Sequence, residues 1–189
     1  ELGVGVFVDA EESWMQDAID RIVDEMMLNY NKERAIIYNT FQMYRWDRLE
    51  FLKASHNKAR DANYFLGAKL VRGAYMEKER ARADEKGYPS PIQKDKAATD
   101  KDYDLGIAYC MEHYENIASC CASHNMNSNM YQAQLTSDLG IEKNHPHVNF
   151  CQLYGMSDYI TFNIAASGYN VAKYVPYGPV EDVVPYLIR

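Results

Sequence analysis

The chain has 189 residues, 47% of them apolar and 25% charged, and a formal net charge of -7. That length buries a real core within one domain, and the acidic balance excludes the basic surface that nucleic-acid phosphates require. No run approaches the roughly 18 consecutive apolar residues of a membrane span, which leaves only a peripheral membrane contact open. Val4 to Val8 is a short apolar run and predicts a strand. A helix follows from about Ser13, with Trp14, Ala18, Ile19, Ile22, Val23, Met26 and Met27 at helical spacing. Ser13 with Gln16 has the spacing of a capping box. Ala35 to Phe41 predicts the second strand, Trp46 to Arg60 a helix, and Ala68 to Tyr75 the third strand. Gly87, Pro89 and Pro91 mark a long loop. Asp102 to Tyr114 reads as a helix and Ile117 to Ser123 as the fourth strand. Ser128 to Leu139 is helical and stops at Gly140. Val148 to Leu153 is the fifth strand, Ser157 to Ser167 a helix, and Val171 to Tyr177 the sixth strand. Pro179 opens a last helix at a position where its missing amide costs nothing.

This order gives six βα units, and short connections between alternating elements predict a parallel sheet. An open sheet and a closed barrel both satisfy it. Val8-Asp9-Ala10-Glu11 stands where a G-x-G-x-x-G fingerprint would follow the first strand, which lowers the expectation of a dinucleotide fold. No linker, low-complexity tract or second domain is visible. The four cysteines, Cys110, Cys120, Cys121 and Cys151, lack zinc spacing and are expected reduced and mostly buried. Cys120 and Cys121 should face opposite sides of their strand.

Polar residues gather where the strands end: Asp9 and Glu11; Asn39 and Gln42; Lys69, Arg72 and Tyr75; His124 and Asn125; Gln152 and Tyr154; Tyr174 and Tyr177. In a parallel α/β barrel these ends share one rim, where active sites are built. Each has a plainer reading. Asp9 would serve as a helix cap, His124 and Asn125 as a strand-to-helix turn, Lys69 and Arg72 as snorkelling cations, and the tyrosines as barrel packing. The charged stretch Glu77 to Lys86 reads as a solvated helix face, and His113, His145 and His147 as surface residues. No H-E-x-x-H and no G-x-S-x-G occurs, so neither a metal site nor a nucleophile elbow is expected. Cations, amides and aromatics around a small volume suit an anionic substrate and a planar cofactor.

Five segments carry a resemblance. VDAEE at Val8 to Glu12, GAKLVRGAY at Gly67 to Tyr75, ASHN at Ala122 to Asn125, QLYGM at Gln152 to Met156 and YVPYGPVEDVVPYLIR at Tyr174 to Arg189 together resemble the proline dehydrogenase family. KLVRGAY is closer to the stand-alone, mitochondrial-type enzymes than to bifunctional proline utilization A. The resemblance implies a distorted (β/α)8 TIM-like barrel binding FAD at the strand C-termini. It implies oxidation of L-proline to pyrroline-5-carboxylate by hydride transfer to flavin N5, with electrons passed to a quinone. By residue, it implies that Asp9 pairs with an active-site arginine, that Asn39 contacts the flavin, and that Lys69 lies near N5. Arg72, His124 and Asn125 would belong to the cofactor side. Tyr75, Leu153 and Tyr174 would wall the proline pocket, Tyr174 leaving little room for a 4-hydroxyl. Arg189 would hold the substrate carboxylate.

A second arginine after Arg189, two earlier βα units and a lysine on a strand before Asp9 belong to the family's pattern, so residues 1–189 are expected to be part of a longer catalytic barrel. Hydroxyproline oxidation and a non-catalytic barrel fragment are the alternatives. The family implies the bacterial cytoplasm or inner-membrane periphery, or the mitochondrial inner membrane or matrix in a eukaryote.

Overall fold

A computed structural model describes residues 4–187 of the chain, with the side chains of residues 182 and 185–187 excepted. Its elements run β1 (Val6–Val8), α1 (Ser13–Tyr30), β2 (Ile37–Gln42), α2 (Arg48–Asp61), β3 (Leu66–Val71), α3 (Met76–Lys86), α4 (Lys96–Glu112), β4 (Ile117–Ala122), α5 (Met126–Asp138), β5 (Val148–Leu153), α6 (Asp158–Ala166), β6 (Asn170–Tyr174) and α7 (Val180–Leu187). The strands form one six-stranded sheet in the order β1-β2-β3-β4-β5-β6, and every pairing is parallel. A doubly wound sheet reverses its strand order at a switch point. Here each strand lies beside its predecessor without reversal, which is the order of a barrel wall. The sheet is a curled half-barrel of the (β/α)8 kind.

One face of the sheet meets the helices. Phe41, Leu52, Leu70, Ile107, Met111, Ile117 and Phe150 are fully buried there in a single apolar core. Strand alternation sends every second residue of β2 to β5 to the other, inner face. Phe41 stacks against Phe51 of α2 with ring centroids 5.8 Å apart, so Thr40 and Gln42 point inward. Gly67 permits the close approach of β2 and β3: a Cβ there would press on the Ile37 carbonyl oxygen and lie 2.9 Å from Tyr38 Cα.

Several boundaries differ from the sequence expectation. Ser13 and Gln16 form no capping box. Glu12 is the cap residue of α1, Gln16 Oε1 accepts from the Glu11 amide at 2.9 Å, and Ser13 donates its amide and hydroxyl to Glu79 at 2.5 and 2.7 Å. β3 stops at Val71 rather than Tyr75 because the chain turns at Gly73, whose φ of 138° favours glycine and whose Cβ position is filled by the Tyr44 ring. α4 begins six residues before the expected start, because Asp95 accepts from the Ala98 amide at 2.8 Å and caps it. β6 ends at Tyr174 rather than Tyr177. The face Glu77 to Lys86 is a helix exposed except at Glu79, Ala83 and the half-buried Arg82. His113, His145 and His147 are half-buried rather than surface residues, and His145 and His147 stack edge to face at 5.2 Å.

Candidate active site

The inner face carries a cation among aromatic rings. Lys69, 9% exposed in the middle of β3, hydrogen-bonds through Nζ to Asp9 Oδ1 at the end of β1. Its Nζ lies 5.8 Å from the centroid of the Phe7 ring and 5.6 Å from that of Tyr174, within the range of cation–π attraction. Asp9 is therefore an ion-pair partner rather than a helix cap, and its partner among the described residues is a lysine, where the resemblance implied an arginine. Lys69 does not snorkel to solvent. Leu153 stands opposite Tyr174 in the β5–β6 register, which puts both on the inner wall.

The loop after β1 also ties down Tyr75. The Tyr75 hydroxyl donates to Glu11 Oε2 at 2.8 Å. Burial, and then the Glu11 carboxylate, push its phenol up to about 12, so it remains a donor at neutral pH. Glu12 pairs with Lys78 beside it. The start of α1 and the start of α3 are thus stapled together at the rim by the Glu11, Glu12 and Ser13 contacts.

Two residues expected at the cofactor make contacts within the protein. Asn39 is fully buried on the helix side of β2, where Nδ2 donates to Asp20 Oδ1 at 2.8 Å and Oδ1 accepts from the Thr40 amide at 2.9 Å. Asp20 also receives Gln16 at 2.9 Å and both Arg48 nitrogens at 2.9 and 3.1 Å. Arg48 lies 4.0 Å over the Phe51 ring. This network joins α1, β2 and α2 and engages both polar atoms of the Asn39 amide. Arg72 binds Asp100 at 2.7 Å, Ser123 at 2.8 Å and Ser128 at 3.0 Å, and lies 4.3 Å over Tyr103. It fastens the end of β3 to α4 and α5. His124 Nδ1 lies 3.0 Å from the Ser157 hydroxyl, and burial first, then Lys173, lowers its pKa. Asn125 caps α5, its Oδ1 accepting from the Ser128 amide at 3.2 Å, which is the plainer of its two sequence readings. Arg189 lies outside the described residues.

Gln42 is the residue that the resemblance left out. It sits on the inner face at the end of β2, 2% exposed, with Oε1 buried and lacking a hydrogen-bond partner. An orphaned acceptor of this kind costs about 1–3 kcal/mol unless a donor meets it. The sequence held a signal for it: Asn39 and Gln42 are three apart on a strand, so only one of them faces inward. Together, an inward orphan acceptor, a nearly buried ammonium and exposed aromatic faces fit a flat heterocycle bearing both donors and acceptors. A flavin has that character, so the residues present fit the group.

Sequential parallel strands in unbroken order, with an acid–cation pair on their inner face, define the wall of a (β/α)8-type barrel. Residues 1–189 match the family described as "Proline dehydrogenase" along their whole length. The chain is 40% identical over 199 residues to mitochondrial proline dehydrogenase 1 of Drosophila melanogaster, covering 100% of this chain and 29% of that protein. It is 38% identical over 190 residues to a Xenopus laevis hydroxyproline dehydrogenase, covering 98% of this chain and 41% of that one. Among solved structures, proline utilization A of Bdellovibrio bacteriovorus inactivated by N-propargylglycine superposes with a TM-score of 0.90 at 28% identity, over 98% of this chain and 19% of that chain. The chain belongs to the proline dehydrogenase family. Its identity is higher to the stand-alone mitochondrial enzyme than to the proline utilization A structure, and it spans under half the length of the curated relatives named here.

Proposed function

We propose that residues 1–189 form part of a catalytic barrel that oxidises L-proline to pyrroline-5-carboxylate with FAD, electrons passing on to a quinone. The observation that carries this is the Asp9–Lys69 pair held between Phe7 and Tyr174 on the inner wall of a family member. A flavin, when bound, would supply the two-electron acceptor. Lys69 supplies a fixed positive charge in a poorly solvated place, which favours negative charge developing on a neighbouring group. Asp9 orients that ammonium. Tyr174 and Leu153 wall the substrate side, and Tyr75, anchored by Glu11, closes the rim and keeps water out. Gln42 offers its orphan oxygen to a donor of the cofactor. His124, at the end of β4, contributes from the cofactor side. We assign the substrate carboxylate to Arg189 on the family resemblance.

Tyr174 at the mouth favours proline over hydroxyproline. The frog relative's name supports the second substrate as the alternative. In a eukaryote the enzyme is assigned to the mitochondrial inner membrane or matrix, and in a bacterium to the cytoplasm or inner-membrane periphery. A peripheral membrane contact would give access to the quinone.

The test is the visible spectrum of the full-length protein under anaerobic conditions. Flavin bands that bleach with L-proline, and more slowly with 4-hydroxyproline, are the expected result. A colourless full-length protein that reduces no dye with proline would overturn the assignment.

A further inference from the structure

The turn between β5 and α6 holds a serine in a backbone conformation that serine seldom takes. Ser157 is the cap residue of α6 and has φ 52° and ψ 41°, in the left-handed region. The caps of α1, α4 and α5 are extended instead, with φ of -63°, -155° and -78°. A serine at this place normally accepts from an amide of its own helix, as Asp95 and Asn125 do. Ser157 makes no such bond. Its hydroxyl reaches across to the preceding loop and meets His124 Nδ1 at 3.0 Å. Left-handed backbone costs free energy in a residue with a Cβ and persists where the surroundings impose it. Here Gly155 turns the chain at φ 73°, and the Met156 amide closes the turn on the Leu153 carbonyl at 3.1 Å. Lys173 of β6 ties the turn down. It donates to the Met156 carbonyl at 2.6 Å and the Leu153 carbonyl at 3.3 Å, and pairs with Asp158 at 2.7 Å. The Ser157 carbonyl accepts from the Ile160 and Thr161 amides at 3.0 and 3.2 Å, so α6 begins without help from the hydroxyl.

We propose that Ser157 is the positioning residue of His124: its hydroxyl donates to Nδ1 and fixes the neutral tautomer whose proton sits on Nε2, the nitrogen left to the cofactor. This rests on the reading that His124 serves the cofactor side. Burial first, then the nearby Lys173 ammonium, holds the His124 pKa below its usual value, so the ring is neutral at pH 7 and has one bare nitrogen. In a neutral imidazole the hydrogen bond made by one nitrogen decides which of the two carries the proton. Nε2 makes no hydrogen bond among the described residues. A serine hydroxyl rotates and serves as donor or acceptor, so the direction is set by what Nε2 must do. The phosphate and ring carbonyl oxygens of FAD can only accept. A His124 that meets them presents Nε2–H, and Ser157 is then the donor to Nδ1. The strained turn holds the hydroxyl at the height of the His124 ring, which an extended cap bonded to its own helix would not do.

The experiment reads the ring nitrogens of isotope-labelled histidine in the full-length protein by long-range proton–nitrogen NMR at neutral pH. His124 is assigned by the signal lost in His124→Gln, and FAD binding is followed by fluorescence. In the parent a bare Nδ1 and a protonated Nε2 are expected. Ser157→Ala keeps the Cβ and loses the donor, so the two tautomers should mix. The FAD dissociation constant should rise about two- to tenfold, the equivalent of one hydrogen bond. Ser157→Gly fits the left-handed turn without strain and should show the same loss. A parent-like tautomer in Ser157→Gly would make the turn, and not the hydroxyl, responsible, and would overturn the assignment. So would a parent with its proton on Nδ1 or shared between the nitrogens, or a Ser157→Ala protein with unchanged tautomer or unchanged FAD affinity. The tautomer is measurable with or without FAD. A full-length protein that binds no FAD therefore overturns the proposed function, and the tautomer then decides the role of Ser157 by itself. A mixed tautomer in a parent protein that binds FAD and oxidises proline overturns the role of Ser157 alone.

Discussion

Replacing Asn39 by alanine separates a structural role from a cofactor role. The side chain makes two hydrogen bonds on the helix side of β2, one to the Asp20 carboxylate at 2.8 Å and one from the Thr40 amide at 2.9 Å. A bond to a charged group is worth about 1.5–3 kcal/mol and a neutral one about 0.5–1.5 kcal/mol. Both are fully buried, so Asn39→Ala should cost about 2–4 kcal/mol of stability. For a domain of this size that is a melting shift of roughly 5–15 °C. Because Asn39 faces away from Lys69, the flavin-to-protein ratio of Asn39→Ala purified cold should match that of the parent. The assay is a thermal melt by circular dichroism on the full-length protein, with flavin absorbance measured on the same sample. A melting temperature within about 1 °C of the parent, together with lost flavin, would show that Asn39 serves the cofactor and that the Asp20 network does not need it.

Lys69→Met keeps the stem and removes the charge beside Asp9, so flavin reduction by proline should slow by about 100-fold or more, measured by anaerobic stopped flow; an unchanged rate would remove Lys69 from the chemistry. Gly67→Ala forces a Cβ into the Ile37 carbonyl and the Tyr38 backbone, and should destabilise by about 1–3 kcal/mol or prevent soluble expression, read by urea unfolding. His56 is 1% exposed with Nε2 unpartnered, and burial, with His113 and Arg60, lowers its pKa to about 4. The unfolded chain therefore binds this proton first. Its contribution, at most about 3 kcal/mol, is complete above about pH 6.5 and is lost as pH falls toward 4. His56→Gln should flatten unfolding free energy across that window. Glu11→Gln keeps an acceptor for Tyr75 and should leave proline KM near the parent's, whereas Glu11→Ala should raise it several-fold by freeing the ring.

Much of the architecture was legible in the chain. Period-two and period-3.6 apolar runs separate cleanly, so six strands and their helices could be placed before any coordinates. The charged helix α3 was legible over Glu77 to Lys86, but the start of α4 was missed because its cap, Asp95, is a single residue following a Gly- and Pro-rich stretch. The site was only partly legible. Asp9, Lys69 and Tyr174 converge because neighbouring strands carry them to one level of the inner wall. Asn39 and Arg72 look equally polar in sequence, yet Asn39 lies in a buried network with Asp20 while Arg72 makes a half-exposed ion pair with Asp100.

What the sequence determined alone was therefore local: alternation, helix stops at Gly140 and Gly168, and the family pattern that names the chemistry. What only the tertiary structure decided was direction. Whether a polar side chain at a strand end faces the inner wall or the helices depends on register between strands, and one residue of slip reverses it. That is why Gln42 rather than Asn39 offers an inward acceptor, and why Cys120 and Cys121, adjacent in the chain, meet different surroundings. The unbroken strand order likewise decided barrel over open sheet, since that choice lies in which strands pair, and local pattern is blind to it.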